Sequence, residues 1–266
     1  MCLNRLIFAM KPSSLFSLAL TFGLAGFSSA ASIAWNTSPG VVDTEVSSAG
    51  TAVLAYYFNS DTARPASVAV NGVNFALHAS ATAPAGLNFN SNFNYPEDVD
   101  GYQVPASAGN AGLNAILDGQ NWGGQSPVDM EGLTIGQKYQ VQFFLSDDRG
   151  GFLNKRHYAV SDGNDAFGSR DVEYGFESTR GGGVPAGAPA GSVDAKIFTG
   201  VFTADGATQG IHTWLYENFP HDAASPNSGS QINAISLRVI PEPATVALGA
   251  ASLALLITRR RRSRCS

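Results

Sequence analysis

KYQVQFFLS, at residues 138–146, alternates apolar and polar side chains. The apolar positions are Tyr139, Val141, Phe143 and Leu145, and the polar positions are Gln140, Gln142 and Ser146. A period of two is the spacing of a β-strand, because successive side chains point to opposite faces of a sheet. We expect an antiparallel strand with its apolar face in the core and its polar face in water.

Comparable patterns recur on both sides of this stretch. Asn71-Gly72 accepts the positive φ angles of a tight turn and predicts a hairpin between residues 67–70 and 73–77. Further strands are expected at residues 51–58, 197–203, 211–216 and 232–239, the last with Ile235, Leu237 and Val239 on one face and Ser236 and Arg238 on the other. Only residues 111–117 suggest a short helix. Eight or so strands broken by Gly, Pro, Asn and Asp clusters predict an all-β fold, a two-sheet antiparallel sandwich of jelly-roll type.

Two stretches have an unusual composition. GGGVPAGAPAG at residues 181–191 has almost nothing to bury, and we expect a mobile loop there. LNFNSNFNY at residues 87–95 interleaves Phe89, Phe93 and Tyr95 with Asn and Ser. Either it is a strand or loop that packs its aromatic rings on the core, or it forms an exposed surface on which a sugar stacks.

The first 30 residues have the pattern of a secretory signal peptide. Arg5 and Lys11 supply a positive region, residues 15–27 are uncharged and apolar, and small residues end at Ala30 before Ala31. An uncleaved N-terminal anchor is the alternative. Either interpretation puts residues 31–240 outside the cytoplasm and makes the Sec translocon an expected partner. A cleaved signal peptide makes signal peptidase a partner as well.

The last 26 residues carry the complementary signal. Pro241-Glu242-Pro243 precedes an apolar run, expected to form a single membrane helix at residues 244–258, and Arg259, Arg260, Arg261 and Arg262 follow it. The apolar run itself, the 14 residues 244–257, would span about 21 Å as a helix, short of a hydrocarbon core of roughly 30 Å. The Arg side chains can snorkel to close this mismatch, and they hold their end on the cytoplasmic side.

These three parts in this order resemble a PEP-CTERM sorting signal, which covers residues 241–266. The resemblance implies processing by an exosortase, a membrane transpeptidase of Gram-negative-type envelopes. It also implies a route in which the chain is anchored transiently in the inner membrane before it reaches the cell surface or a biofilm matrix.

A second resemblance spans residues 132–239. It is carried by LTIGQKY at residues 133–139, by SDDR at residues 146–149, by RHYAVSDG at residues 156–163, and by Asn233-Ala234 and Leu237-Arg238. These motifs are similar to those of exported β-sandwich modules that precede PEP-CTERM tails. Such sandwiches are similar to galactose-binding-like and carbohydrate-binding domains, and this fold analogy alone does not establish a function.

Composition narrows the classes of function. Both cysteines, Cys2 and Cys265, lie in the terminal segments, so no disulfide can form within residues 31–240. The chain carries −5, and because the leader holds +2 and the tail a net +4, residues 31–240 hold −11. An acidic domain repels phosphate backbones, which argues against a nucleic-acid partner. A single domain of this length can bury a sizeable core.

No catalytic or metal motif stands out. The sequence has no Gly-x-Ser-x-Gly elbow and no paired His motif, and no spacing singles out a carboxylate pair. Residues 97–101 contain an Asp-x-Asp-Gly kernel, but Pro96 and Ser107 occupy two of the ligand positions of an EF-hand. We expect no catalytic residue, cofactor or metal. Structural calcium on residues 147–148 and 162–165 remains an alternative to solvated turns.

Aromatic residues are the candidates for ligand contact. Trp122 follows Asn121 in a Gly-rich stretch, residues 119–124, that we expect to be a loop, where the ring could stack on a sugar while the amide reads its hydroxyl groups. Alternatively, Trp122 caps an open end of the core. Trp214 and Tyr216 share a strand face with His212, opposite Ile211, Thr213 and Leu215. They lie on an exposed face if the latter three are core, and in the core if the register is reversed.

Asp147, Asp148 and Arg149 follow the strand at residues 138–146 and could hydrogen-bond a ligand or one another. Together these patterns predict a secreted sandwich that binds or organises extracellular polysaccharide without catalysis. A glycoside-active enzyme and a self-assembling surface protein are the alternatives.

Overall fold

The computed structural model describes residues 31–40, 42–89, 93–97, 110–123, 127–146, 157–162, 172–175, 195–216 and 231–241. At residues 93–97, 122–123, 127, 157–159, 172–175 and 214–216 it describes the backbone alone. The strands in these ranges are β1 Ala34–Ser38, β2 Thr51–Phe58, β3 Ser67–Val70, β4 Val73–His78, β5 Leu87–Phe89, β6 Phe93–Glu97, β7 Gln120–Gly123, β8 Pro127–Glu131, β9 Lys138–Ser146, β10 His157–Asp162, β11 Val172–Gly175, β12 Ala195–Thr203, β13 Thr208–Tyr216, β14 Gln231–Ile232 and β15 Ala234–Val239. The helices are α1 Ala111–Leu117 and a 3₁₀ turn at Asp43–Glu45.

The strands form three sheets. The largest has the order β1-β12-β9-β15-β2-β4-β3, the second β11-β10-β13-β8-β5, and the smallest β14-β7-β6. The fold is therefore mostly β with several antiparallel sheets, consistent with the predicted all-β sandwich. Two details differ from the prediction. A third sheet is present, and β2 pairs with β4 in parallel.

The main core lies between the seven-stranded and five-stranded sheets. The larger sheet contributes Phe143, Phe198, Ile235 and Leu237, and the smaller one contributes Val128, Met130, Val160 and Ile211. All are buried. Alternate residues of each strand supply this core, which is how two facing sheets exclude water from the layer between them.

A second apolar cluster covers the outer face of the seven-stranded sheet. Phe144 of β9 packs edge-to-face on Phe75 with ring centroids 5.4 Å apart, and Leu113 and Ile116 of α1 join them. This cluster overturns the expectation that β9 has a wet face, because Gln142 and Ser146 are buried.

The outer face is covered further by residues 42–50, which we call the strap. Gln142 accepts a hydrogen bond from the Ser47 amide (2.8 Å) and donates one to the Glu45 carbonyl (3.1 Å). Arg238 donates to the carbonyls of Ser48, Ala49 and Gly50 at 2.7–2.9 Å. Ser236 and Arg238, on the face opposite Ile235 and Leu237 as predicted, are therefore buried.

Several local predictions are confirmed. β3 and β4 form the expected hairpin, with Asn71 at φ 45° and Gly72 at φ 78° in the turn. Residues 51–58, 111–117 and 138–146 have the predicted structure. Residues 87–95 contain β5 and the start of β6, with Phe89 buried in the main core, whereas the predicted loop at residues 181–191 lies outside the described residues.

The two ends of the sandwich differ in what they carry. The end marked by Thr51, Lys138, Thr203 and Val239 is called the tail end, because Ile240 and Pro241 leave the sheet there. The opposite end, marked by Phe58, Ser146 and Ile232, is called the distal end. The Ala31 amide donates to Gln209 (2.8 Å) at the start of β13, so residue 31 also lies at the tail end.

Candidate functional site

Three of the predicted ligand-binding stretches converge on the distal end. Asn121 and Trp122 lie in β7, which pairs with β14. Ser146 ends β9 there, immediately before Asp147, Asp148 and Arg149, and those three residues lie outside the described ranges. β13 begins at the tail end, where the backbone amide of Leu133 donates a hydrogen bond to the carbonyl of Ala207, just before the strand. Further along, β13 contacts β14. Its last residues, Trp214 to Tyr216, therefore run toward the distal end.

Asn233 is the central residue of this end. Its side chain accepts a hydrogen bond from the Ser146 amide (2.6 Å) and donates to the carbonyls of Leu117 (2.9 Å) and Gly119 (2.7 Å). Its backbone amide donates a hydrogen bond to the Phe144 carbonyl, and its backbone carbonyl accepts one from the Phe58 amide. One buried amide therefore ties β2, β9 and the corner between α1 and β7 together. It also explains why the predicted strand at residues 232–239 is interrupted.

A second set of polar contacts lies beside this corner. The Asn59 side chain donates to the Asp118 carbonyl, and Arg64 forms an ion pair with the mostly buried Asp118 carboxylate. Gly119 has no room for a side chain, because a Cβ there would contact the Phe58 carbonyl and lie 2.5 Å from Asn59 Nδ2. The corner is rigidly fixed by these contacts, so the backbone of β7 that follows is held in place.

The structure changes the interpretation of Asn121. Residues 120–123 form a strand instead of the expected loop, and Asn121 is buried. Asn121 pairs with Ile232, and Ile232 belongs to the main core. Directly paired positions share a face. Asn121 is therefore on the core face of the small sheet, opposite the face to which the position of Trp122 belongs.

The opposite face of the small sheet carries a different set of positions, which we call the amide face. Trp122 is paired with Gln231 on one side and with Tyr95 on the other. Gln120, two residues before Trp122, is paired with Glu97. Gln120 and Gln231 are both buried.

The register of β13 resolves one alternative left open by the sequence. Ile211 and Thr213 are buried, and Ile211 contributes to the main core. Positions 212, 214 and 216 alternate with them, so Trp214 and Tyr216 belong to the same strand face as the half-buried His212.

That outer face of the five-stranded sheet also carries acidic groups. Asp129 of β8 lies opposite Gly210 of β13 and Asn88 of β5. Burial raises the pKa of the Asp129 carboxyl, the neighbouring Glu131 raises it further, and His212 opposes both effects. The ionised carboxylate is thus less favourable here than in water.

The terminal signals are described only at their inner boundaries. Ala31 is half-buried and Pro241 is exposed, whereas Ala30, Glu242, Pro243 and the arginines at 259–262 lie outside the described residues. Within the described part of the chain, no helix is both long and apolar enough to cross a membrane. In the same part, no three or more His, Cys, Asp or Glu residues are grouped as a metal site would need.

Sequence reasoning missed Gln120, Gln231 and Asn233 as residues of this end. The run Gly119-Gln120-Asn121-Trp122 contains both amides, and only the strand alternation, once β7 is known to be a strand, distinguishes them. Asn233 was visible as a break in an apolar strand pattern. Comparison of the chain with protein-family models, with curated proteins and with solved structures gave no match.

Proposed function

We propose that this chain is an exported protein, sorted to the cell envelope or extracellular matrix through a PEP-CTERM tail, that binds or organises polysaccharide without catalysis. The observation that carries the proposal is the convergence at the distal end of β7 with Trp122, of the end of β9 before Asp147, and of the end of β13 with Trp214 and Tyr216. The Sec translocon, signal peptidase and an exosortase are its processing partners. Its sandwich is of jelly-roll type.

The direction in which the chain leaves the sandwich supports this proposal. Ala31 and Pro241 both lie at the tail end, on the far side of the sandwich from Asn233. β9 runs between the two ends and has 9 residues, which at about 3.3 Å per residue separates them by about 30 Å. A domain held at a membrane by its tail would therefore present the distal end to the extracellular space.

The net charge of the domain favours a neutral polysaccharide as its ligand. Residues 31–240 hold a net −11, so a polyanionic glycan would be repelled unless a cation bridges the two. A neutral glycan has no such barrier. Aromatic rings that stack on C–H faces and amides that pair with hydroxyl groups are the side chains that such a ligand uses.

A glycan array probed with the full-length protein, with and without a chelator, tests the proposal. We expect retention on neutral glycans without the chelator and with it, and loss of retention in Trp122→Ala and Trp214→Ala. Trp35→Ala is the matched control, because Trp35 packs on Phe143 of the main core with ring centroids 6.4 Å apart. It should lower the melting temperature and leave glycan retention intact below that temperature.

Failure of the wild-type chain to bind any glycan on the array would overturn the proposal. Release of new reducing ends from a bound polysaccharide would favour the glycoside-active alternative. Chelator-sensitive polymers in light scattering, without glycan binding, would favour the self-assembling surface protein.

A further inference from the structure

Gln120 is a fully buried amide with an unmet hydrogen-bonding capacity. Its exposed fraction is 0 %, and among the residues that the structure describes neither its Nε2 nor its Oε1 has a hydrogen-bond partner. Burying an amide without partners is unfavourable, and native folds rarely keep such a group without a role. Leu at this position would fill similar volume without that penalty.

The surroundings of Gln120 are those of the amide face. Gln120 and Trp122 alternate along β7 with Asn121, and the neighbouring strands place Gln231, Tyr95 and Glu97 at paired positions. Gln231 is buried as well. Two amides, two aromatic residues and one carboxylic residue therefore occupy adjoining positions of one small sheet face.

The corner before β7 fixes where this face lies. Asn233 holds the carbonyls of Leu117 and Gly119, and Gly119 packs so closely against Phe58 and Asn59 that a Cβ there would lie 2.5 Å from Asn59 Nδ2. Gln120 follows directly. Its backbone is thus preorganised by contacts that involve no ligand, as binding groups need to be.

We propose that Gln120, not Asn121, is the amide that reads the hydroxyl groups of a neutral sugar beside Trp122; this inference rests on the proposed function. An amide donates through Nε2 and accepts through Oε1, which matches a pair of adjacent hydroxyl groups. Because Gln120 is buried, its amide is already desolvated, so only the sugar loses water when hydrogen bonds form between them. Entry requires side chains at the distal end to rearrange.

The charges nearby favour an uncharged ligand. Asp118, two residues before Gln120, is paired with Arg64. A carboxylate group on the ligand would have to compete with the Asp118 carboxylate for Arg64 or remain unpaired in a desolvated site. The site therefore selects hydroxyl-bearing units over uronic acids.

Retention of the full-length protein on agarose, a neutral galactan, compared with retention on alginate, a polyuronate, tests this inference. The variant is Gln120→Leu. Its matched control is Gln140→Leu, in which a half-buried glutamine on β9, whose Oε1 also has no partner among the described residues, is replaced in the same way near the tail end. We expect the dissociation constant for the galactan to rise about tenfold to thirtyfold in Gln120→Leu and to stay unchanged in Gln140→Leu.

Thermal unfolding separates binding from folding. Gln120→Leu is expected to melt at or above the wild-type temperature, because it removes an unsatisfied buried amide. Equal galactan affinity in Gln120→Leu and wild type would overturn this inference and leave the proposed function standing. Stronger retention of the wild type on alginate than on agarose would also overturn it. Failure of the wild type to bind any glycan would overturn both.

Discussion

The backbone amide of Ser146 donates to the side-chain oxygen of Asn233 at 2.6 Å, although the two residues are 87 positions apart in the chain. This bond joins the end of β9 to the break between β14 and β15. The same side chain holds two carbonyls at the corner before β7. One residue thus fixes the positions of two of the three stretches that we assign to ligand binding.

Replacing Asn233 by Ala should destabilise the fold strongly. The change leaves one buried amide and two buried carbonyls without partners, and we expect a loss of roughly 3 kcal/mol or more in the free energy of unfolding. Urea unfolding of the full-length protein measures it. Asn74→Ala, at an exposed position of β4, is the control and should cost less than about 0.5 kcal/mol. A comparable small loss in both variants would show that the Asn233 contacts contribute little.

Replacing Arg238 by Met should release the strap from the outer face of the seven-stranded sheet. Burial lowers the pKa of the Arg238 guanidinium below its ordinary value, yet the group remains charged and donates to three strap carbonyls. Without these three hydrogen bonds we expect the free energy of unfolding to fall by about 2–4 kcal/mol. Faster amide hydrogen exchange across residues 42–50 would accompany this loss.

Arg238→Lys provides a second measurement for the strap. A single ammonium cannot reproduce the fork of the guanidinium, so we expect only partial recovery of stability and of exchange protection. Lys138→Met removes a cation from a half-buried position of the same sheet and controls for charge alone. If exchange in the strap were equally slow in all variants, Arg238 would not be what holds it.

Asp129 should make the stability of the fold depend on pH. Its pKa is raised above 3.8 in the folded chain, mainly by burial, so the folded state binds this proton more tightly than the unfolded state. The resulting contribution favours folding at low pH and is lost as the pH rises from 3.8 through the raised value. Asp129→Asn should therefore gain stability over wild type above this window and lose that gain below it.

Melting temperatures of Asp129→Asn and wild type from about pH 3 to about pH 7 test this prediction. Asp205→Asn, at an exposed position, corrects for the loss of one negative charge. Parallel curves for Asp129→Asn and wild type would contradict the prediction.

The two ends of the sandwich should differ in their distance from a membrane. Ile135, 68 % exposed, lies at the tail end in the turn before β9, and Thr62 is exposed beside the distal end. In a chain with Cys2 and Cys265 replaced by Ser, we expect a fluorophore on Ile135→Cys to be quenched by lipid-attached quenchers. The same fluorophore on Thr62→Cys, about 30 Å further away, should keep its emission. Equal quenching at both positions would refute this orientation.

Much of the fold could be predicted from the sequence because local patterns determine it. The Asn71-Gly72 turn, the helix at Ala111–Leu117 and the bounds of β9 depend on residues close together in the chain. Alternation along β9 identified its core face correctly, since Val141, Phe143 and Leu145 are all buried between the sheets.

The predictions that failed concern residues whose environment is set by contacts with distant segments of the chain. Gln142 has the polarity of an exposed residue, but the strap satisfies the hydrogen bonds of its side chain within the fold. Ser146 is buried as well, and Asn233 accepts a hydrogen bond from its backbone amide. No local pattern reveals such partners. The same limit applies to Asn121. The sheet face on which Asn121 lies depends on the register of β7, which its pairing with Ile232 fixes.

The position of β15 in the middle of the seven-stranded sheet has a mechanical consequence. β15 is hydrogen-bonded to β9 on one edge and to β2 on the other, and the chain continues from it to Pro241. Tension transmitted from the C-terminal segment therefore loads both ladders in parallel, so that their bonds resist together instead of opening one at a time. A chain pulled by this end would hold its shape against forces that would peel away a strand at the rim.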